Sequence, residues 1–356
     1  MKIMMVITGM QSGGAERVMA TLCNELSQRH NVRLAVMKEA KSDYELSQNV
    51  EVASGNIQGK NLFKCVSFTS AQMKEYKPDI VLSFMTKSNI IAVLARVVSG
   101  IKAPVVIAER ANPFYAQKIF KLMRKFLYPL ANGFVFQTKQ AQDYYKPILK
   151  NMSNIILKNP LNPDFKVEPY QGERQKKIVT AGRLSVEKNQ SLLIEAFSKI
   201  ADKYPEYTVE IYGDGPLRGE LESFIKDKKL ENRVFLMGRR DNIQKYTASA
   251  EIFVLPSNSE GMPNALLEGM ALGLACISTD CPIGGPAMVI NSYENGILVP
   301  MNDADKMAQA IEYFVNNKEK AQSMGEKAKN VINEYDAKTV CRQWEEYLVS
   351  VAEEKR

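Results

Sequence analysis

Glu260-Gly-Met-Pro-Asn-Ala-Leu-Leu-Glu268 is the stretch that decides the fold, because a strand pattern changes to a helix pattern there. The apolar run before it, residues 251–257, is typical of a short buried strand that ends at Pro256. Pro263 suits the first turn of a helix, and good helix formers follow it. We therefore expect Glu260 in a loop at the carboxyl end of a strand, and Glu268 about one and a half turns into the next helix.

The two glutamates have two interpretations. The free amides at the start of a helix attract anions, and nearby carboxylates can accept hydrogen bonds from hydroxyl groups. Together these groups suit a nucleotide diphosphate sugar. A surface loop followed by a solvated helix face explains the spacing of the glutamates equally well.

Two further loops carry chemistry of the same kind. Gly182-Arg-Leu-Ser-Val-Glu-Lys188 follows a predicted strand at 177–181, and its two cations can clamp a diphosphate. Tyr212-Gly-Asp-Gly-Pro-Leu217 ends a strand at 209–213, and its glycines permit a tight turn. Taken singly, the first loop is explained by a solvated basic pair and the second by an ordinary turn.

In this order, the three motifs resemble the donor-binding half of family 4 glycosyltransferases of the GT-B fold. Gly13-Gly-Ala-Glu-Arg17, Val234-Phe-Leu-Met-Gly238 and Asn295-Gly-Ile-Leu-Val-Pro300 agree with the same family. The resemblance extends from Lys2 to the C-terminal helix. The loops 13–17 and 109–113 look most like those of bacterial members that build surface polysaccharides or lipid-linked oligosaccharides.

Both halves of the chain alternate strands and helices, which predicts two doubly wound parallel sheets. The predicted strands are 2–9, 32–37, 80–84, 104–108, 133–138, 155–158, 177–181, 209–213, 234–238, 252–255, 275–279 and 297–299. The resemblance implies an α/β GT-B architecture of two Rossmann-like domains facing a central cleft. We expect an acceptor-side domain at 1–163, a nucleotide-sugar-binding domain at 164–336, and a helix at 337–356 that crosses back to the first domain. Residues 159–172 are rich in proline and polar residues and form the predicted linker.

The composition fits a reduced, globular chain. It has 356 residues with 45% hydrophobic and 24% charged content, enough for two domains with their own cores. No uncharged apolar stretch approaches the roughly 18 residues of a membrane-spanning helix, and the apolar start is expected to be a strand, not a signal peptide. The five cysteines lack paired or metal-binding spacing, which suits the cytoplasm.

The charge is uneven along the chain. Residues 1–165 carry 22 Lys and Arg against 11 Asp and Glu, a net +11, and the remainder carries −4. This asymmetry indicates one anionic partner on one face and argues against nucleic acid. Lys118, Lys121, Arg124 and Lys125 alternate with aromatic and aliphatic residues in 114–130, which predicts an interfacial helix on an anionic membrane surface. A core-packing helix with a basic outer face is the alternative.

The resemblance also implies roles for individual residues. Arg183 and Lys188 neutralise the β-phosphate of the leaving nucleotide, and Glu260 faces the transferred sugar, so these three form the predicted catalytic set. Glu268 binds the ribose hydroxyls, and the backbone of Gly14 closes over the phosphates. The other predicted donor-binding residues are Gly182, Gly213, Gly215, Gly238, Gly261, Met262, Pro263, Asn264 and Ala265. The candidates on the acceptor and sugar side are Gly13, Glu16, Arg17, Arg110 and Asn112.

The sequence departs from the family pattern at two places. Many members have a histidine near the sugar, but the single histidine here, His30, lies in a predicted helix end before strand two and is interpreted as structural. Met288 stands where relatives often have a glutamate, which removes one donor contact. The family works without metal, and one histidine cannot build an imidazole site. No metal or cofactor is therefore expected, since the UDP-linked sugar is a substrate.

The predicted function is a retaining glycosyltransferase. It moves a hexose or N-acetylhexosamine from a UDP-sugar to a polyprenyl-diphosphate-linked saccharide in surface polysaccharide or glycan assembly. The expected location is cytoplasmic, peripheral on the inner face of the cell membrane. Two alternatives are a GT-B sugar-nucleotide epimerase, whose acid/base groups cannot be assigned here, and a non-catalytic sugar-nucleotide or glycolipid-binding module. The intact set of Arg183, Lys188, Glu260 and Glu268 argues against the binding module.

Overall fold

A computed structural model describes residues 1–11, 13–39, 41–59, 61–110, 112–149, 152–162 and 170–354. The chain divides into two compact units, one of Met1–Pro163 with Tyr335–Arg356 and one of Asp164–Glu334. The predicted domain boundary and the middle of the predicted linker fall in 163–169, outside the described residues.

The first unit is built on a seven-stranded parallel sheet. Its strands are β1 (Lys2–Ile7), β2 (Asn31–Val36), β3 (Val50–Ser54), β4 (Ile80–Phe84), β5 (Val105–Ala108), β6 (Gly133–Phe136) and β7 (Ser153–Ile156), in the order β3-β2-β1-β4-β5-β6-β7. The helices between them are α1 (Gly14–Leu26), α2 (Leu62–Tyr76), α3 (Thr86–Ser99), α4 (Lys118–Leu127) and α5 (Lys139–Leu149), with 3-10 turns at Pro113–Tyr115 and Tyr128–Leu130. The central strands are continuous apolar runs because helices cover both faces of the sheet.

The second unit has a six-stranded parallel sheet. Its strands are β8 (Gln175–Ala181), β9 (Thr208–Tyr212), β10 (Val234–Gly238), β11 (Ala250–Leu255), β12 (Ala275–Thr279) and β13 (Ile297–Val299), in the order β10-β9-β8-β11-β12-β13. Its helices are α6 (Gln190–Ser198), α7 (Arg218–Asp227), α8 (Gln244–Thr247), α9 (Asn264–Ala271), α10 (Gly285–Val289), α11 (Ala304–Asn316), α12 (Lys318–Ala328) and α13 (Val331–Glu334). The two sheets confirm the predicted pair of Rossmann-like domains.

The last helix, α14 (Ala337–Glu353), packs on the first unit. Its buried face carries Val340, Trp344, Tyr347, Leu348 and Val351. The Trp344 indole N–H donates to the carbonyl of Lys158 (3.1 Å), and the Tyr347 hydroxyl donates to the carbonyl of Ser153 (2.9 Å). These bonds tie the helix to the start of β7 and to the chain just after it.

Candidate active site

The loops after β8 and β11 meet in the second unit. These strands are neighbours, and the strand order reverses between them, which is where open α/β sheets form a ligand crevice. Asn258 joins the two loops: its amide N–H donates to the carbonyl of Glu187 (2.8 Å), and its Nδ2 donates to the carbonyl of Val186 (2.8 Å). Asn189 Nδ2 donates to Asn258 Oδ1 (3.0 Å). The two motifs are thereby held side by side.

Lys188 and Glu260 form an ion pair across these loops. Lys188 Nζ lies 2.5 Å from Glu260 Oε1, and Ser257 Oγ donates to the same oxygen (2.7 Å). Glu260 is only 7% exposed, so its charge needs such partners. The buried Thr279 hydroxyl donates to the carbonyl of Ser257 and holds the serine in place. Two residues with separate predicted roles are therefore direct partners.

Arg183 lies in the same loop as Lys188 but differs in environment. Its side chain is exposed, and among the described residues it has no side-chain hydrogen bond or ion pair. Its carbonyl accepts a bond from Nε2 of the buried Gln190 (3.0 Å), which fixes the loop backbone. The guanidinium is thus available to an anion on a loop that is already ordered.

Glycines after β8 and β9 and at the end of β10 allow these loops to pack closely. Gly213 has a φ of +134°, and a Cβ there would lie 2.0 Å from the carbonyl oxygen of Gly182. A Cβ on Gly215 would lie 2.3 Å from the carbonyl oxygen of Leu184. The amide of Gly213 donates to the carbonyl of Gly238 (2.9 Å). Their structural role is close backbone approach, and their predicted contact with donor remains a prediction.

The turn before α9 rests on the loop after β12. The helix begins at Asn264, directly after Pro263, and Glu268 is buried within it. A Cβ on Gly285 would lie 1.4 Å from the carbonyl oxygen of Gly261, so only glycine fits there. Met262 is buried and Ala265 is half-buried. The turn 261–265 therefore has little freedom to move.

Cys281 adds no nucleophile to this region. Burial, and secondly the negative charge of Glu260, raise the pKa of its thiol to about 12. The thiol therefore stays protonated and unreactive at neutral pH.

Four of the predicted donor- and acceptor-side residues lie at the N-terminus of α1. Gly13 precedes the helix, and its amide donates to the Tyr44 hydroxyl (2.9 Å). Gly14 is exposed at the first helical position, and Glu16 and Arg17 are half-buried in the first turn.

Arg110 and Asn112 lie just after β5. The Arg110 guanidinium carbon is 3.9 Å from the ring centre of Phe84, and Nη1 donates to Asn159 Oδ1. Asn112 Oδ1 accepts a bond from the Phe114 amide (2.9 Å) and caps the 3-10 turn there.

The prediction that Arg124 faces a membrane is wrong. Arg124 is 4% exposed, and its Nη1 and Nη2 donate to the hydroxyls of Tyr145 and Thr86 (both 2.8 Å). Its Nε lies 3.5 Å from Oε2 of the buried Glu109. Arg124 is buried because the carboxylate of Glu109, which is also buried, requires a positively charged partner. Lys118, Lys121 and Lys125 are exposed on the same helix.

Two further polar features are structural. His30 Nε2 lies 2.7 Å from Glu345 Oε1 at the junction between α1 and α14. The one Asp-x-Asp of the sequence, at 303–305, is engaged as well: Asp303 caps α11 and Asp305 pairs with Lys199 (2.7 Å).

Comparison with known proteins agrees with this geometry. The model of the family described as "Glycosyl transferases group 1" matches residues 163–331, which contain all three motifs of the second unit. The chain is a glycosyltransferase of the GT-B fold. It is 27% identical, over 99% of both chains, to the Campylobacter jejuni "GalNAc-alpha-(1->4)-GalNAc-alpha-(1->3)-diNAcBac-PP-undecaprenol alpha-1,4-N-acetyl-D-galactosaminyltransferase".

A second relative and a solved structure are similar over nearly the full length of the glycosyltransferase. The relative is the C. jejuni "N-acetylgalactosamine-N,N'-diacetylbacillosaminyl-diphospho-undecaprenol 4-alpha-N-acetylgalactosaminyltransferase", 28% identical over 98% of this chain and 99% of that protein. The structure is Anabaena HepE in complex with UDP, with a TM-score of 0.83 and 19% identity over 98% of this chain and 100% of that one. At that identity the structure supports the fold alone.

Three residues of the glycosyltransferase site escaped the sequence analysis: Ser257, Gln190 and Gly285. Ser257 follows the strand-ending Pro256 and stands three residues before Glu260, which is a weak signal for a loop hydrogen bond. Gln190 is the first residue of α6, and no sequence motif marks it as part of the site. Gly285 belongs to a Gly-Gly pair after β12, a signal for close backbone approach.

Among the described residues, no helix of the glycosyltransferase combines the length and the apolar character needed to cross a membrane.

Proposed function

We propose that this glycosyltransferase moves a sugar from a UDP-sugar to a polyprenyl-diphosphate-linked saccharide, with retention of anomeric configuration. The observation that carries the proposal is the Lys188–Glu260 pair beside the exposed Arg183, at the point where the strand order reverses. A cationic pair next to a buried carboxylate suits a molecule that carries both a diphosphate and sugar hydroxyls.

The names of similar proteins support the choice of substrates. The HepE structure contains UDP, and the two C. jejuni transferases are named for diphospho-undecaprenol saccharides and for N-acetylgalactosamine transfer. An N-acetylhexosamine is accordingly a leading donor sugar, with hexoses next. The acceptor class is a saccharide on a polyprenyl diphosphate.

Each residue acts on a defined part of the reaction. The bond between the anomeric carbon and the β-phosphate oxygen breaks, a new bond forms to an acceptor hydroxyl oxygen, and the proton of that hydroxyl passes to the departing phosphate oxygen. The departing oxygen gains negative charge, which Arg183 and Lys188 stabilise more strongly in the transition state than in the ground state. When phosphate approaches Lys188, Glu260 loses part of its ion pair and its carboxylate can accept a bond from a sugar hydroxyl. Glu268 binds the ribose.

We infer that α4 docks the enzyme on the cytoplasmic face of a membrane, where a lipid-linked acceptor resides. Ile119, Leu122 and Phe126 follow a helical spacing and are 56%, 54% and 65% exposed. Lys118, Lys121 and Lys125 are exposed beside them. Between residues 80 and 142 the chain has nine Lys and Arg but one acidic residue, Glu109, which is buried. An apolar stripe flanked by cations without exposed acids suits anionic lipid.

Ligand-dependent stabilisation tests the donor assignment. The free energy of unfolding rises by RT ln(1 + [L]/Kd) for a ligand that binds only the folded state. We expect UDP and at least one UDP-sugar to raise the Tm of the wild type, while GDP does so much less. The rise should shrink in Lys188→Ala. Stabilisation by GDP alone, or by no nucleotide, would contradict the proposal.

A further inference from the structure

The Arg110 side chain lies among aromatic and amide side chains of the first unit, at the carboxyl ends of β4 and β5. Its guanidinium stacks on Phe84, the last residue of β4, and lies 5.4 Å from the ring centre of Trp344. Nη1 donates to Asn159 Oδ1, which also accepts a bond from Gln137 Nε2 (2.9 Å). These four partners are buried. Ligands of open α/β sheets bind beyond this edge of the sheet.

Among the described residues, no carboxylate balances the charge of Arg110. Nε and Nη2 are buried and have no hydrogen-bond partner. Burial alone lowers the pKa of the guanidinium to about 9, with no carboxylate acting against it, so the group stays protonated at neutral pH. A buried cation without an anion is costly, and stacking on two aromatic rings offsets only part of that cost.

Two buried arginines of the same unit, Arg124 and Arg33, are different. Arg124 lies beside Glu109, and Arg33 pairs with Glu51 and with Glu75 (3.0 Å). In both cases neighbouring carboxylates raise the pKa of the arginine against the effect of burial. In the part of the unit that the structure describes, Arg124 and Arg33 thus have carboxylate partners and Arg110 has none.

Backbone strain marks the same edge of the sheet. Met85, directly after Phe84, has a φ of +73° and a ψ of 148°, a conformation that non-glycine residues rarely adopt. Such strain is costly and clusters at functional sites. The amide of Met85 donates to the carbonyl of Ala108 (3.0 Å), two residues before Arg110.

We propose that Arg110 binds a phosphate group of a substrate at the carboxyl ends of β4 and β5. The inference rests on the proposed function, because that function brings two phosphate-bearing molecules to the enzyme. The phosphate comes from the lipid-linked acceptor or from the nucleotide. Either one carries the negative charge that no described carboxylate provides at Arg110. Arg110 is in this account a binding residue and not a structural one.

The test compares Arg110→Met with Arg124→Met, since methionine keeps the apolar stem and removes the charge. Without ligand, Arg110→Met should be as stable as the wild type or more stable, because an unbalanced buried charge is gone. Arg124→Met should lower the Tm by several degrees, because Glu109 loses its cation. A loss of Tm in Arg110→Met as large as in Arg124→Met, or failure of Arg110→Met to fold, would overturn the proposal.

Calorimetric titration with UDP and with farnesyl diphosphate identifies the source of the phosphate. One of the two should bind Arg110→Met about 10- to 150-fold more weakly than the wild type, and Arg110→Lys should recover part of the affinity. Loss for UDP assigns the site to the donor, and loss for farnesyl diphosphate assigns it to the acceptor. Unchanged affinity for both, or no binding of either to the wild type, would overturn the proposal. Donor-dependent sugar transfer, measured separately, reports on the proposed function itself.

Discussion

Lys188 Nζ lies 2.5 Å from Glu260 Oε1, although 72 residues separate the two in the chain. The pair joins the loop that follows β8 to the loop that follows β11. It means that the predicted diphosphate clamp and the predicted sugar-facing carboxylate are one unit before any substrate is bound. In the proposed function, substrate phosphate would therefore compete with Glu260 for the ammonium group of Lys188.

Lys188→Ala should lower kcat/KM by roughly 10- to 150-fold, since hydrogen bonds to charged groups contribute about 1.5–3 kcal/mol. Because the two residues touch, the double variant Lys188→Ala, Glu260→Ala should lose less than the product of the single losses. The matched control is Lys177→Ala, which breaks a similar ion pair with the buried Glu210 (2.7 Å) away from the loops. It should cost stability and leave kcat/KM unchanged. If the double variant loses kcat/KM by the full product of the two single losses, Lys188 and Glu260 act independently, which would contradict this prediction.

Replacement of Glu260 and replacement of Glu268 should have different kinetic effects. Glu268→Ala should mainly raise the KM for the donor, because ribose is bound equally in the ground and transition states. Glu260→Ala should lower kcat more strongly, since bonds change at the sugar it faces. Steady-state kinetics on both variants decide between these effects, and identical KM-type losses would remove the division of roles.

Activity should be insensitive to EDTA. In the proposed function, Arg183 and Lys188 supply positive charge to the diphosphate. The one Asp-x-Asp of the sequence is engaged in capping α11 and in an ion pair with Lys199. Turnover is measured after dialysis against EDTA and after adding Mg²⁺ or Mn²⁺. A strict requirement for added metal would contradict this prediction.

The exposed lysines of α4 should direct binding to anionic lipid. Each surface cation near such a membrane contributes about 1 kcal/mol, so replacing Lys118, Lys121 and Lys125 by Gln should weaken binding to anionic liposomes roughly 100-fold. Added salt should weaken wild-type binding in the same way. The matched control replaces Lys306, Lys320 and Lys327, exposed on α11 and α12, and should have little effect.

The apolar stripe of α4 makes a separate contribution. Replacing Ile119, Leu122 and Phe126 by Ser should reduce binding to anionic and neutral liposomes alike, because insertion of apolar side chains does not depend on lipid charge. Co-sedimentation measures both sets of variants. Equal binding of the wild type to anionic and neutral lipid, or no loss in either set, would contradict docking through this helix.

Sequence reasoning captured the elements whose signal is local. All six strands of the second unit and the buried face of α14 lie where periodicity predicts them. It missed β3, Val50–Ser54, because this short edge strand is half exposed and lacks a continuous apolar run.

What sequence reasoning could not see is pairing over long distances in the chain. Arg124 alternates with lysines in a pattern typical of a surface helix. Its side chain instead points into the first unit, because it lies beside the buried carboxylate of Glu109. The pairing of Lys188 with Glu260 likewise depends on β8 and β11 being neighbours, which spacing does not reveal. Ser257 and Gln190 act through bonds to residues in the same loops, and a hydroxyl or amide in a loop has no distinctive pattern.

Sugar transfer itself is the most direct test of the central claim. The wild type and Lys188→Ala are incubated with a panel of UDP-sugars and a polyprenyl-diphosphate-linked saccharide in anionic vesicles, and the lipid product is analysed by mass spectrometry. We predict that one UDP-sugar extends the acceptor by a single sugar type with release of UDP, and that Lys188→Ala is strongly impaired. Recovery of an epimerised UDP-sugar, binding of UDP-sugar without any extension of the acceptor, or equal activity in Lys188→Ala would contradict the account.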